Sequence, residues 1–348
     1  MKLIIENSKL KIEKNISQKI IRLAFCASLI FNFQFSIFNC AQAQDLHFSQ
    51  LDINPLLFNP AYSGFFDGQG RFGIAYRNQW ASVSVPFQTF SATAEWTISR
   101  SQRDHSCWSA GLWLSNDRAG SLSYGATSVS GILSYFWSLN GRNDHFLSLA
   151  LEGGVGQVGF SSDGIALPET DEAFERTRAL TPVLGAGVAW FRQWSDVFYL
   201  KAGLSVRNIN EPDFSFLGMS DTRLSRKYNF YMRAEWRMMD RVGLLPVVGY
   251  QRQNSFNELV YGCDVKWYLR EETRNYLAFS AGLLGRHGDA AAITLAVDWQ
   301  SWTFAFSYDA NLSKLATASH TLGAFEIGIV YRLLRKNSRQ RAIPCPII

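Results

Sequence analysis

The stretch ELVYGCDVKWYL, Glu258 to Leu269, alternates with a period of two: Leu259, Tyr261, Cys263, Val265, Trp267 and Leu269 share one face, and Glu258, Asp264 and Lys266 share the other. Alternation at this period marks a strand with unlike faces. Ionised groups sit in its middle, opposite an apolar face that carries Trp near its end. A soluble sandwich would also alternate, so one strand leaves the fold open and repetition has to decide it.

The pattern does repeat. In KYNFYMRAEWRM, Tyr228, Phe230, Met232, Ala234, Trp236 and Met238 oppose Asn229, Arg233, Glu235 and Arg237. AITLAVDWQ sets Ile293, Leu295, Val297 and Trp299 against Thr294, Asp298 and Gln300, and RFGIAYRNQW sets Phe72, Ile74, Tyr76 and Trp80 against Arg71, Arg77 and Gln79. DVFYLKAGLSVR opposes Phe198, Leu200, Ala202, Leu204 and Val206 to Lys201, Ser205 and Arg207. So many mid-strand charges must face water, while aromatic residues at strand ends suit two membrane interfaces. A closed transmembrane antiparallel β-barrel with a lipid-facing exterior and a polar lumen meets both demands. Its expected lumen-facing charges are Arg71, Lys201, Arg233, Glu235, Arg237, Asp264, Lys266 and Asp298. Mixed signs fit salt-bridged filling of the interior at least as well as an ion-selective pore.

About fourteen strands are predicted, near residues 71–80, 87–98, 108–117, 124–137, 145–157, 181–192, 196–207, 226–238, 241–252, 257–269, 274–284, 290–300, 302–309 and 322–333. Long polar connections fall at 158–180, 208–225 and 310–321, and short turns such as Gln300-Ser301 fall elsewhere. Barrels of this kind keep short turns and both chain ends in the periplasm, with long loops outside. The loop at 158–180 is acidic-rich and then basic, and reads equally as a partner surface or a solvated loop.

Residues 1–43 read as an export signal: Lys2, Lys9, Lys11, Lys14, Lys19 and Arg22, then the apolar LAFCASLIFNFQFSIF, then AQA at Ala41 to Ala43. A membrane anchor is the rival reading, and the long basic region leaves the start codon open. Cys40 follows Phe38 and Asn39 rather than small residues, which argues against a lipoprotein. The segment carries six of the 34 basic and two of the 29 acidic residues, so 28 and 27 remain and the nominal charge of +5 falls to +1. No nucleic-acid footprint is left. The basic tail, 335–348, with Arg335, Lys336, Arg339 and Arg341, is expected to be a solvated periplasmic end. Cys107, Cys263 and Cys345 form no CxxC pair, so neither a disulfide framework nor a zinc site is supported.

Other chemistry is refused. GQGRFG, Gly68 to Gly73, matches a dinucleotide fingerprint in letters but opens a strand, so no helix N-terminus awaits a pyrophosphate. No GxSxG occurs, and His47, His105, His145, His287 and His320 lack metal spacing. No cofactor, metal or catalytic residue is expected.

Before the first strand lies HFSQLDINPLLFNPAYSG, His47 to Gly64, apolar and broken at Asn54-Pro55 and Asn59-Pro60. Each proline removes a donor and biases the preceding Asn toward an extended conformation, so no regular helix can run through. The segment 44–70 is expected to start at the periplasmic face, either packed under the barrel rim or as a partial plug or partner dock, and Gly64 permits the turn into the wall, 71–334.

This stretch, as far as Trp80, resembles the start of the PorP/SprF family of Bacteroidetes outer-membrane proteins. The similarity rests on Phe48-Ser49-Gln50, Asn54-Pro55, Asn59-Pro60-Ala61 with Gly64, and Tyr76-Arg77 with Gln79-Trp80. At the other end FSYDANLSKL, with Tyr308-Asp309, resembles the family's penultimate strand, GAFEIGIVYRLL, with Glu326, its closing strand, and the terminal PCP its tail. Where the family commonly has GSHE, this chain has Gly323-Ala324-Phe325-Glu326, which puts any role of that histidine in doubt. The resemblance implies an outer-membrane component of type IX secretion and gliding motility. Its partners would be a secreted surface protein or adhesin with a C-terminal sorting region, and periplasmic secretion-machine components. The expected protein is a monomeric barrel that binds, exports or anchors that client; the rival is a channel or transporter for small solutes.

Overall fold

The computed structural model describes residues 48–66, 68–79, 86–101, 105–119, 124–140, 144–159, 178–214, 223–272, 275–312 and 322–334. The segment expected to be an export signal, Trp80, residues 335–348 and most of the long connections lie outside them. Fourteen strands form one closed antiparallel barrel: β1 Gly70–Gln79, β2 Phe87–Arg100, β3 Cys107–Ala119, β4 Tyr124–Ser138, β5 His145–Gly159, β6 Arg178–Ser195, β7 Phe198–Arg207, β8 Lys227–Met239, β9 Val242–Gln253, β10 Phe256–Arg270, β11 Leu277–Arg286, β12 Ala290–Trp299, β13 Trp302–Asn311 and β14 Leu322–Leu333. Each strand pairs with its sequence neighbours, and β1 pairs with β14 from Gly70 opposite Leu333 to Gln79 opposite Ala324. That last pairing removes the sheet's edges, so no row of backbone groups is left to face lipid unpaired.

All fourteen predicted segments are strands. The largest differences are three-residue extensions at both ends of β6, and a β11 that starts three residues later than its alternation suggests. The connections 160–177, 208–226 and 312–321 all lie at the end of the barrel away from Gly70 and Leu333, while the other end has no connection longer than 101–106, 139–144 or 271–276. These are called the long-loop and short-turn ends below.

Outward side chains sort by depth. Trp96, Trp108, Trp137, Trp194, Trp236, Trp267, Trp299 and Trp302 are all exposed on the outer face, each within four residues of a strand's short-turn end. Exposed Phe90, Tyr228, Tyr250 and Tyr261 sit toward the long-loop end, with Leu, Ile and Val between the two girdles. Amphipathic rings at two levels around an apolar band are what lipid interfaces select.

Where β6 outruns β7, its edge is covered rather than open. Ile209 N donates to Leu184 O at 3.0 Å, and the Asn210 side chain accepts from Leu184 N at 3.1 Å and donates to Pro182 O at 2.6 Å. Pro182 has no N–H to leave free, so this edge offers little to a stray strand.

Leu295 lies in the middle of the outward face of β12. Leu295→Arg is expected to destabilise the folded barrel in lipid vesicles by about 2–4 kcal/mol, read from a denaturant titration, whereas Leu295→Val should stay within about 1.5 kcal/mol of wild type.

Candidate functional site

The lumen is occupied by the leader, 48–66. Its turns are short: α1, Pro55–Phe58, and a single 3-10 turn, Pro60–Tyr62, each opened by the proline expected to stop a helix. A proline fits the first position of a turn, whose N–H would have no helical partner. Asn59 between them is extended at φ −152° and ψ 119°. Phe48, Leu51, Ile53, Leu56, Leu57, Phe58, Ala61, Tyr62, Phe65 and Phe66 are all buried, most of them packed with inward Trp113, Ile132, Phe136, Phe146, Phe191 and Tyr231. The only apolar core of the described residues is therefore inside the barrel, around the leader.

A chain with so little regular structure must find partners for its backbone elsewhere. The wall's inward side chains supply them. Glu326 accepts from Ser49 N at 2.7 Å and Gln50 N at 3.0 Å, and Glu95 accepts from Gly64 N at 3.2 Å. Arg71 donates to Asp52 O at 2.8 Å and Ile53 O at 3.0 Å, and Arg207 donates to Leu57 O at 3.0 Å. Ser205, Ser148 and Ser134 donate to the carbonyls of Phe58, Ala61 and Ser63.

Asn59 works in the opposite sense. Its Nδ2 donates to Val188 O at 2.9 Å and Leu204 O at 3.2 Å in the wall, while its Oδ1 accepts from Ala61 N at 2.8 Å. The wall thins to admit it: a Cβ on Gly187 would lie 2.0 Å from Asn59 Oδ1, and one on Gly203 2.5 Å from Asn59 Nδ2. Gly64 combines φ +94° with Ser109 and Phe136 less than 3 Å from any added Cβ. Glycine alone among residue types meets both conditions at this position.

Two ionic centres hold the leader. In the first, Arg77 donates to Glu326 and, at 3.0 Å, to Asp309; Ser49 Oγ donates to both Asp309 oxygens at 2.8 and 2.9 Å; and Arg286 reaches Ser49 Oγ at 2.8 Å and Asp309 at 3.1 Å. In the second, Asp52 lies 2.5 Å from Arg233 and 3.1 Å from Lys201, and accepts from Tyr231 OH at 2.7 Å. Burial works against the charge of Asp52, but Arg233, Lys201 and the Tyr231 hydroxyl override it and hold the carboxyl well below its usual range. The Asp52 carboxylate is therefore ionised at neutral pH, and its part in the clamp is lost as pH falls through that lowered value.

Below Asp52 a cavity of about 180 Å³ is lined by the leader and by Tyr199, Glu235, Lys266, Asp298 and Arg332 toward the short-turn end. Lys266 pairs with Asp298 at 2.7 Å, Arg233 with Asp264 at 2.9 Å, and Arg237 with Glu271 at 2.9 Å, while Glu235 accepts from Tyr199 OH at 2.8 Å and from Tyr268 OH. Among the described residues no group of His, Cys, Asp or Glu could hold a metal ion, and neither Cys107 nor Cys263 is in a disulfide.

The motif residues from the two ends of the chain thus meet: Ser49, Gln50, Arg77, Asp309 and Glu326 share one cluster, and Gln79 accepts from Arg77 at 3.4 Å. Pro55 and Pro60 open the two turns; Asn54 is fully buried, its carbonyl accepting from Leu57 N while its side-chain amide makes no hydrogen bond. Tyr76 and Tyr308 are on the outer face with Phe325, whose ring lies 6.1 Å from that of Tyr76. Phe325, which stands where the family commonly has His, therefore contributes nothing to the cluster. Sequence reasoning set Arg207 on the polar face of its strand without counting it among the lumen charges, and missed Glu95, Arg286 and the sockets Gly187 and Gly203. Glu95 and Arg207 do occupy inward positions of alternating strands, but the need for a socket is visible only with Asn59 in place.

One expectation fails. Position before the first strand predicts a leader that starts at the periplasmic face. Instead Ser49 lies beside Arg286, the last residue of β11 at the long-loop end, and the leader descends to Gln69, whose N–H donates to Leu333 O at 2.8 Å at the short-turn end. The carboxylates of Asp309 and Glu326, fixed toward the long-loop end of the wall, take the N–H and hydroxyl donors of Ser49 and Gln50 to that level.

Fold and site together define a membrane β-barrel whose lumen is filled by its own leader. Residues 40–331 match the family model described as type IX secretion system membrane protein PorP/SprF, and the chain belongs to that family. No curated protein matches it. Solved structures with a similar fold include the CymD monoaromatic hydrocarbon channel, at 9% identity over 82% of this chain and 94% of that one with a TM-score of 0.47. The toluene transporter TbuX of Ralstonia pickettii matches at 10% identity over 80% and 93% with a TM-score of 0.49, and BamA from Haemophilus ducreyi at 8% over 76% and 70% with 0.41. Likeness at this level carries no inference about substrate.

Asn59→Ala removes two hydrogen bonds to wall carbonyls and the side-chain acceptor of Ala61 N, and is expected to cost about 2–4 kcal/mol, measured by thermal unfolding in detergent. Gly187→Val should be at least as damaging, because its side chain takes the space of the Asn59 amide.

Proposed function

We propose that this outer-membrane barrel works by binding, without enzymatic activity: it helps export or anchors a secreted surface protein of the type IX pathway, gliding adhesins included. The observation that carries the reading is the filled lumen. Leader residues are keyed into wall glycines and tied by two ionic centres, which leaves a cavity of about 180 Å³ where a conducting barrel of fourteen strands would hold a continuous water column. What is left for a client is the long-loop end, the end that barrels of this kind turn to the outside. The short-turn end, with its mixed-charge cavity, then faces the periplasmic components of the machine. Mixed, mutually paired lumen charges serve the leader rather than a permeating ion.

Deletion of the gene is expected to strip one or a few large proteins from the cell surface, read by surface proteomics, and the purified barrel should retain such a client in pull-downs. In planar bilayers it should show no steady conductance. An unchanged surface proteome together with solute conductance would replace this reading by the small-solute channel.

A further inference from the structure

We infer that the leader is laid down before the barrel closes, and that Ser49 and Gln50 draw β14 onto β1. The closing pair places Arg77 directly opposite Glu326, both inward and both 2% exposed at the side chain. The leader shares that clasp. Ser49 N and Gln50 N occupy the two oxygens of Glu326, and Ser49 Oγ holds Asp309 on the neighbouring β13, which Arg77 also grips. Four segments therefore meet at one seam: the leader, β1, β13 and β14.

The path of the leader sets the order. It runs from Ser49 at the long-loop end to Gln69 at the short-turn end, so in a closed barrel its free end would have to be threaded along the whole lumen. The sockets oppose that passage, because the wall fits the leader closely only in its final place: Asn59 is seated where Gly187 and Gly203 bear no Cβ, and Ile53 where a Cβ on Gly328 would come within 2.8 Å. An open sheet has no such obstacle.

The energetics favour the same order. Pairing β1 with β14 closes nearly the whole chain, an entropic cost that is met before the contact returns anything. The contact of Ser49 with Glu326 spans 277 residues and carries the same cost, but Ser49 is only 28 residues from Arg77. Once the leader holds Glu326 and Asp309, the last hairpin is tethered close to β1 and the seam forms at high effective concentration.

Refolding of the full mature chain into lipid vesicles, followed by pulsed hydrogen exchange and mass spectrometry, tests the order in the unaltered protein. Amides of Ser49 and Gln50 are expected to gain protection before those amides of β1 and β14 that bond across the closing pair, the β1 amides bonded to β2 being left out of the comparison; the reverse order would overturn the inference. Closure rates, read from the heat-modifiable gel mobility of barrels, give a second arm. Ser49→Ala and the conservative Glu326→Gln should each slow closure by about tenfold, as loss of a hydrogen bond to a charged group does when that contact is already formed in the transition state. Asn59→Ala, whose contacts with the wall are also made before closure, should slow closure as well and leave the unfolding rate little changed. A wild-type closure rate for Ser49→Ala, or an Asn59→Ala barrel that closes at the wild-type rate and only unfolds faster, would reduce the leader to a passenger.

Discussion

A backbone N–H or C=O removed from water must be given another partner, and two parts of this molecule meet that demand in different ways. The wall meets it with strand pairing closed by β1 and β14. The leader, with only one turn of α-helix and one 3-10 turn, cannot meet it alone, and borrows from the inner face of the wall. Arg71, Glu95, Arg207, Glu326 and three serines are thereby explained as partners of a second, irregular chain segment. A polar lumen and a buried leader are two views of one set of hydrogen bonds.

The sign mixture of the lumen follows from the same accounting. A backbone presents donors and acceptors in equal number, so a wall that serves it needs carboxylates and guanidinium groups alike. Glu326 takes two N–H groups while Arg71 gives to two carbonyls, and each is held in place by a charge of the opposite sign, Arg77 or Glu95. A charge-selective pore would have gathered one sign.

The strands were legible because their period, aromatic ends and mid-strand charges are local properties, and each was repeated many times. Lys201, Arg233 and Asp264 point inward where alternation places them, since a strand's side chains cannot choose their face one at a time. Two features were not legible. The direction of the leader depends on carboxylates more than two hundred residues away, and no local pattern encodes that. The role of Gly187 and Gly203 is invisible in strands that would read as well with alanine. Even the motif residues hid their meaning, because Ser49, Arg77, Asp309 and Glu326 are remote in sequence and meet only when the sheet has curled through a full turn.

The glycine sockets have a consequence for how such a protein can change. Asn59 is seated in gaps on β6 and β7 that only an amide of that size and position fills without collision or void. Leader and wall are therefore a matched pair, cut to each other within one chain. A chimera that joined the first segment of one relative to the barrel of another would meet misplaced sockets. Change in the interior must therefore come in matched steps, one on the leader and one on the wall.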